Sequence, residues 1–165
     1  MSAPSRIDDG DPLALERQVC FALAVASRTV ISVYRPVLEP MGLTHPQYLV
    51  MLALWGEEPL SVTDLSRRLE LDPATLSRLL RRLESAGLVR RDRNPADERS
   101  LAVALTEAGR DLRTQALAVP GTVLQRLGMG LDELVDLRDR LTHVIGAAKS
   151  PTESATEAAT EPQPA

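Results

Sequence analysis

Between Ser61 and Leu105 the chain lays out two short helical segments, a three-residue break, and then two extended segments. Few small folds accommodate that order. Ser61 with Asp64 three residues on is a helix start, and the helical pattern ends near Leu69. After Glu70-Leu71, Asp72-Pro73 opens a second helix with a capping oxygen and a proline at the first helical position. Leu76, Leu79, Leu80 and Leu83 recur at helical spacing as its buried stripe, and Gly87 ends it. Leu88 to Asp92 and Ser100 to Leu105 read as strands, with Asn94-Pro95-Ala96-Asp97 as the turn. In the second strand Leu101, Val103 and Leu105 alternate with small residues, as on a half-buried strand.

Two short helices followed by a hairpin fit a winged helix-turn-helix, whose second helix lies in the major groove of DNA. At 100° per residue the leucine stripe points one way. Ala74, Arg78, Arg81 and Ser85 point the other, flanked by Thr75, Ser77 and Arg82. A face that is small and polar at first and arginine-rich afterwards suits close approach to base edges with phosphate anchoring behind. Arg78 can make a bidentate guanine contact, and Thr75 and Ser77 can reach bases or phosphates. Arg81 and Arg82 are better placed for phosphates. Any one of these arginines alone reads as an ordinary solvated side chain; the whole face followed by a basic hairpin does not.

The charge balance conceals this surface. The net charge is −4, but residues 1–16 and 150–165 carry −3 each, leaving the body at +2. Nine of the 19 basic residues lie between Arg67 and Arg99, where only six acids sit. It is the local field that engages phosphates.

The rest of the chain is mostly helical around this unit. Asp11-Pro12 reads as a helix start, with Cys20, Leu23, Ser27, Val30, Ile31 and Tyr34 at helical spacing until Pro36 kinks or ends the helix. Thr44 with Gln47 is a capping box for a helix to about Trp55. Thr106 caps a helix to about Ala118, and residues 120–127 and 131–147 continue helically around Gly128 and Gly130. The fold class expected is therefore mostly α with a small β-hairpin. The first ten residues and the acidic stretch 150–165, which lacks Leu, Ile, Val, Met and aromatics, are expected to be disordered. Residues 11–149 form a single domain on this reading, with the DNA-binding unit at about 44–106.

Composition removes several classes. One cysteine makes neither an internal disulfide nor a Cys-rich zinc site, so no stapled secreted fold, metal or cofactor is expected. The longest uninterrupted apolar runs, Val19 to Ala26 and Tyr48 to Trp55, are eight residues each, short of a membrane span. The N-terminus is acidic without an apolar signal region, and a cytoplasmic location is expected. Phe21, Tyr34, Tyr48, Trp55 and Cys20 all fall inside one 36-residue window, an uneven placement for a uniform core. Phe21 and Trp55 are expected in the local core.

The stretch Asp72 to Val89, then Asp97-Glu-Arg99 and Leu105-Thr106-Glu107-Ala-Gly109, resembles the MarR family of dimeric bacterial regulators. The resemblance covers roughly residues 13–147. It implies that Arg99 at the hairpin tip enters the minor groove, whose narrow form has a negative potential suited to arginine, and that Asp97 orients the wing. A surface ion pair between the two is compatible with that role. The resemblance also implies that the terminal helices, about 11–40 and 107–147, interlock into a homodimer on double-stranded DNA. The stripe of Leu124, Leu127, Leu134, Leu137, Leu141 and Ile145 would be buried there. A symmetric dimer reads two half-sites about 10 bp, or a multiple of that turn, apart.

The run Leu15 to Leu23, Tyr34-Arg-Pro36 and Gly42 to Trp55 are similar to the organic-hydroperoxide-sensing (OhrR) branch of that family. The similarity implies that Cys20 is the redox sensor and that Tyr34 contacts it, with His45 and Tyr48 completing the sensor pocket. His45 and Ala24 stand where the branch has tyrosines. With no second cysteine, oxidised Cys20 would form a mixed disulfide with a small thiol or over-oxidise. Cys20 and Tyr34 are 14 residues apart, within about 40° on one helix face but roughly 21 Å along it. Within one straight helix they cannot touch, so such a contact must come from the partner subunit.

Two other readings stay open. One is a repressor of the same type released by a phenolic or other lipophilic ligand, with Cys20 a small buried hydrophobe. The other is a one-cysteine thiol peroxidase, for which the sequence offers only His45 and distant His143 as acid–base groups and no catalytic motif. No enzymatic activity is therefore expected.

Overall fold

The computed structural model describes residues 11–94 and 97–150, with the side chains of 94–100 outside the described set. The expected disorder of residues 1–10 and 151–165 therefore lies outside the described residues, as does the centre of the hairpin turn.

Ten regular elements follow in order. They are α1 (Val19–Leu38), α2 (His45–Gly56), β1 (Leu60–Ser61), α3 (Val62–Leu69), α4 (Pro73–Ser85), β2 (Val89–Asn94), β3 (Asp97–Leu105), α5 (Glu107–Ala116), α6 (Val119–Leu127) and α7 (Leu131–Lys149). The chain divides into two compact units, one up to Leu127 and one from Gly128, whose described element is α7.

The helix starts fall where cap chemistry places them. Gln47 accepts from the Thr44 backbone N–H at 2.9 Å in the capping box of α2. Ser61, Asp72 and Thr106 accept from the backbone N–H of Asp64, Thr75 and Gly109 at 3.0, 2.9 and 3.0 Å. Past the end of α4, Gly87 takes φ +69°. The N–H groups of Gly87 and Leu88 return to the carbonyls of Glu84 and Leu83, closing the helix C-terminus.

Two expectations about the elements need correction. The first helix starts at Val19 rather than Asp11-Pro12: Asp11 Oδ1 accepts the Leu13 N–H, two residues on, and one turn of 3-10 helix covers Leu15–Arg17. The Gln18 amide donates back to the Pro12 carbonyl, which folds this segment before α1 begins. Pro36 sits in the last turn of α1, which ends two residues later at Leu38. The sheet has three strands, not two, in the order β1-β3-β2, all antiparallel. Leu60 and Ser61 pair with Val103 and Ala102, a two-residue strand too short to show a sequence period.

Directly opposed residues of β2 and β3 share a face, so Val89, Val103 and Leu105, with Leu60, point into the core. Leu101, expected in that row, lies beyond the last β1 pair and is 47 % exposed. The core is aliphatic: Leu65, Leu76, Leu80 and Leu83 are fully buried, together with Val50, Met51 and Leu54 of α2 and Leu38 of α1. Each such side chain contributes roughly 1.5–3 kcal/mol by burial.

The ends of the chain differ. In α1 the side chains from Val19 to Thr29 are all exposed, including Phe21, expected in the core. The C-terminal third turns Val33, Tyr34, Val37 and Leu38 onto the core, and α6 packs on α1. In α7 no residue is buried, and Leu137, Val144 and Ile145 are exposed. Although no apolar run exceeds eight residues, Val19–Met41 taken whole has a mean hydropathy of 1.3 over 18 residues and is long enough to cross a membrane. Arg28 interrupts its middle, where a charge in a bilayer costs about 2.5–3.5 kcal/mol or more. Its far end is part of the globular core.

Candidate functional site

The helix-turn-helix is α3, the turn at Glu70-Leu71-Asp72, and α4. Glu70 takes the left-handed conformation, φ 53°, which turns the chain sharply out of α3, and the Leu71 N–H donates back to the Ser66 carbonyl. The leucine stripe of α4 is buried as its spacing predicts, so the opposite face is displayed. Ala74, Arg78, Arg81, Arg82 and Ser85 are exposed, while Thr75 and Ser77 are half-buried. The Thr75 hydroxyl and N–H bond to Asp72, and these bonds hold the Asp72 carboxyl below the usual carboxylate range. Thr75 is thereby engaged in the cap, leaving Ala74 and Arg78 foremost at the helix start.

Among the described residues, Arg78, Arg81 and Arg82 take part in no ion pair, whereas five neighbouring arginines do. Arg67 pairs with Asp64, Arg68 with Glu57, Arg90 with Asp92, Arg91 with Glu84 and Arg110 with Glu58. The pairing separates structural arginines from a displayed set. Arg91 Nε donates to Glu84 at 2.9 Å and ties the wing to the end of α4. Asp97 and Arg99 lie in β3, with Asn94 opposite Asp97 and an irregular register after Arg93. Their side chains are outside the described set.

The second candidate cluster is aromatic. Tyr34 of α1 stands edge-on to His45 at the start of α2, with ring centres 5.0 Å apart. It faces Tyr48 at 6.1 Å, and Tyr48 faces Trp55 edge-on at 6.3 Å. The three residues of the expected sensor pocket thus come together, and Trp55 extends them along α2. Burial lowers the pKa of His45, favouring the neutral imidazole. Burial raises that of Tyr48, and the neighbouring Tyr34 raises it further. Cys20 is not in this cluster. It is exposed near the start of α1, about 21 Å along the helix from Tyr34. A separate cleft of about 330 Å³ opens on the outer face of the sheet, floored by Ala102 and Ala104 and walled by Glu58, Arg90, Asp92, Arg93 and Arg110. Its charged walls suit no lipophilic ligand.

Two anchors were not legible in the sequence. Glu58 accepts the Leu105 N–H at 2.7 Å and takes both its oxygens to Arg110, joining the α2–β1 loop to β3 and α5. Burial pushes its carboxyl up, but the Arg110 and Leu105 hydrogen bonds outweigh that and the net shift is downward. The Trp55 indole N–H donates to the Gly109 carbonyl at 2.9 Å. Both contacts span about fifty residues, and no local pattern announces them.

A displayed arginine face on the second helix of a helix-turn-helix, with a wing beside it, defines a DNA-binding module. Comparison with known proteins agrees. Residues 43–101 match the MarR family model. The chain is 42 % identical over 161 residues to the HTH-type transcriptional regulator TtmR of Methylorubrum extorquens (strain PA1), covering 93 % of this chain and 83 % of that one. It is 40 % identical over 131 residues to the organic hydroperoxide resistance transcriptional regulator of Bacillus subtilis (strain 168), covering 79 % and 89 %. Among solved structures, reduced AbfR bound to DNA superposes with a TM-score of 0.71 at 31 % identity, covering 82 % and 95 %. The chain belongs to the MarR family and is a DNA-binding transcriptional regulator of that type, not an enzyme.

Proposed function

We propose that the protein is a homodimeric repressor that leaves its operator when Cys20 is oxidised by an organic hydroperoxide. The observation that carries this reading is the exposed position of Cys20 on the apolar, uncovered half of α1, in a chain 40 % identical to a hydroperoxide resistance regulator. Exposed Val19, Phe21, Leu23 and Val25 beside it are what a second copy of the chain would cover. Residues 11–149 then act as one MarR-type domain, with the segments 11–40 and 107–147 building the dimer and 44–106 reading DNA. The ring cluster of Tyr34, His45 and Tyr48 lies too far from Cys20 of its own chain, so it serves Cys20 of the partner chain.

On a pseudo-palindromic operator, Ala74, Arg78, Arg81 and Arg82 face the major groove and its phosphates, with Thr75 and Ser77 at the edge of that surface. Asp97 and Arg99 place the wing in the flanking minor groove. In the redox step the Cys20 thiolate attacks the peroxide oxygen, the O–O bond breaks, and an alcohol leaves. The resulting sulfenic acid condenses with a small thiol to a mixed disulfide and water. Polar bulk at the dimer face then alters the relative placement of the two DNA-reading lobes.

Cys20→Ser tests this. The variant is expected to bind DNA like the parent and to stay bound after organic peroxide, with mass spectrometry showing parent Cys20 oxidised. Normal release of the variant by peroxide would overturn the sensor assignment, and release by an unreactive lipophilic compound instead would support a ligand-gated repressor.

A further inference from the structure

Trp55 is the chain's single tryptophan, and its hydrogen bond to Gly109 falls at a dense backbone junction. A Cβ placed on Gly109 would lie 2.0 Å from the Leu88 carbonyl oxygen, so the start of α5 and the α4–β2 turn meet without a side chain between them. The Thr106 N–H donates to that same Leu88 oxygen at 3.1 Å, and its hydroxyl donates to the Gly87 carbonyl at 2.6 Å. The Gly109 N–H returns to the Thr106 hydroxyl at 3.0 Å. The Leu88 N–H closes α4 on Leu83 at 3.0 Å. The last turn of α4, the roots of both wing strands and the first turn of α5 are thus stitched together. Trp55 is the grip of α2 on that knot, and through Tyr48 and Tyr34 its ring is in continuous contact with His45.

We propose that Trp55 is a positioning residue for DNA binding: through Gly109 it ties the rings of His45, Tyr34 and Tyr48 to the root of the wing and the end of α4. A displacement of the rings therefore changes DNA affinity. Packed interiors transmit such shifts because they have no slack to absorb them. The Trp55–Gly109 bond concentrates the transmission at one polar contact, which a ring lacking the N–H would lose while keeping most of the packing. The inference rests on the reading of α4 and the wing as the DNA-contacting elements, but not on the chemistry of Cys20.

The test is a double-mutant cycle on full-length reduced protein, using a duplex selected in vitro for tight binding to the parent. His45→Ala is expected to change the dissociation constant about fivefold or more in the parent, and less than twofold in the Trp55→Phe background. Equal effects in the two backgrounds would overturn the proposal. Trp55 emission supplies a second readout that does not depend on a folded variant. It is expected to shift when the parent is saturated with duplex, although Trp55 lies in α2 rather than on the displayed face of α4. Unchanged emission would overturn the proposal. A chain that bound no selected duplex would remove the DNA reading and this inference with it. Failure of Cys20 to respond to peroxide would leave both readouts standing.

Discussion

The DNA-reading part of the molecule is much less apolar in sequence than the first half of α1, yet it completes a core while the first half of α1 stays uncovered. From Leu54 to Leu105 the large aliphatics other than Leu101 meet one another, and Leu65, Leu76, Leu80 and Leu83 lose all contact with water. From Val19 to Ala26 the apolar side chains stay exposed, and Val19 keeps 68 % of its accessible surface. The difference lies in what each segment can reach. The helices α3 and α4 turn back on α2 within a few residues, whereas α1 runs as a continuous 20-residue rod whose N-terminal half extends beyond the core. One region is complete in a single chain. The other stays uncovered there, and on the proposed reading a second copy of the chain covers it.

Substitutions break the comparison in order of size. Leu80→Ala, in the completed core, is expected to cost roughly 2–5 kcal/mol, measured as a fall in urea midpoint independent of protein concentration. Leu23→Asp, on the uncovered face, is expected to cost the isolated chain less than about 0.5 kcal/mol. It should weaken the proposed dimer by a hundredfold or more, because an unpaired charge would be buried there; sedimentation equilibrium reads the difference. If Leu23→Asp left the association unchanged, the uncovered face would not be the interface.

Within the DNA-reading part, the displayed and paired arginines separate next. Arg78→Ala is expected to cost roughly 1–3 kcal/mol of affinity and to relax sequence preference. Arg81→Ala should weaken all duplexes alike and reduce the salt slope by about 0.9 for each copy on phosphate. Gel-shift titration at several salt concentrations separates the two patterns.

The smallest effect belongs to Glu58→Gln, a drop of at most a few degrees in Tm at neutral pH. Because Glu58 is held below its ordinary pKa in the folded chain, its contribution is present above the unfolded carboxylate range. It is lost as pH falls through the folded value. Thermal melts down the acid range should therefore show a step in the parent that is shallower in the variant.

Much of the DNA-reading part was legible before any coordinates. Its caps, its leucine stripe and its outward arginines are local patterns with a period, and Ser61, Asp72, Thr106 and Leu76 to Leu83 behave as that period requires. Reading failed where the deciding contact was remote or too short to be periodic. Two-residue β1 has no alternation to detect. Asp11-Pro12 has the composition of a helix start, but its carboxylate serves an N–H two residues away. Phe21 looked like core because aromatic residues usually are, and only the reach of α1 shows otherwise. The rings of Tyr34, His45 and Tyr48 do lie together, but the extension to Trp55 and its bond to Gly109 came from folding alone.

By itself, then, the sequence determined most of the helical segments and which face of α4 is offered to solvent. Those properties depend on neighbours three or four positions away. The tertiary structure decided which arginines are tied down and which are displayed, and how Trp55 and Glu58 pin the wing. The Trp55 and Glu58 contacts depend on pairs brought together across about fifty residues, where chain entropy rather than local pattern sets the terms.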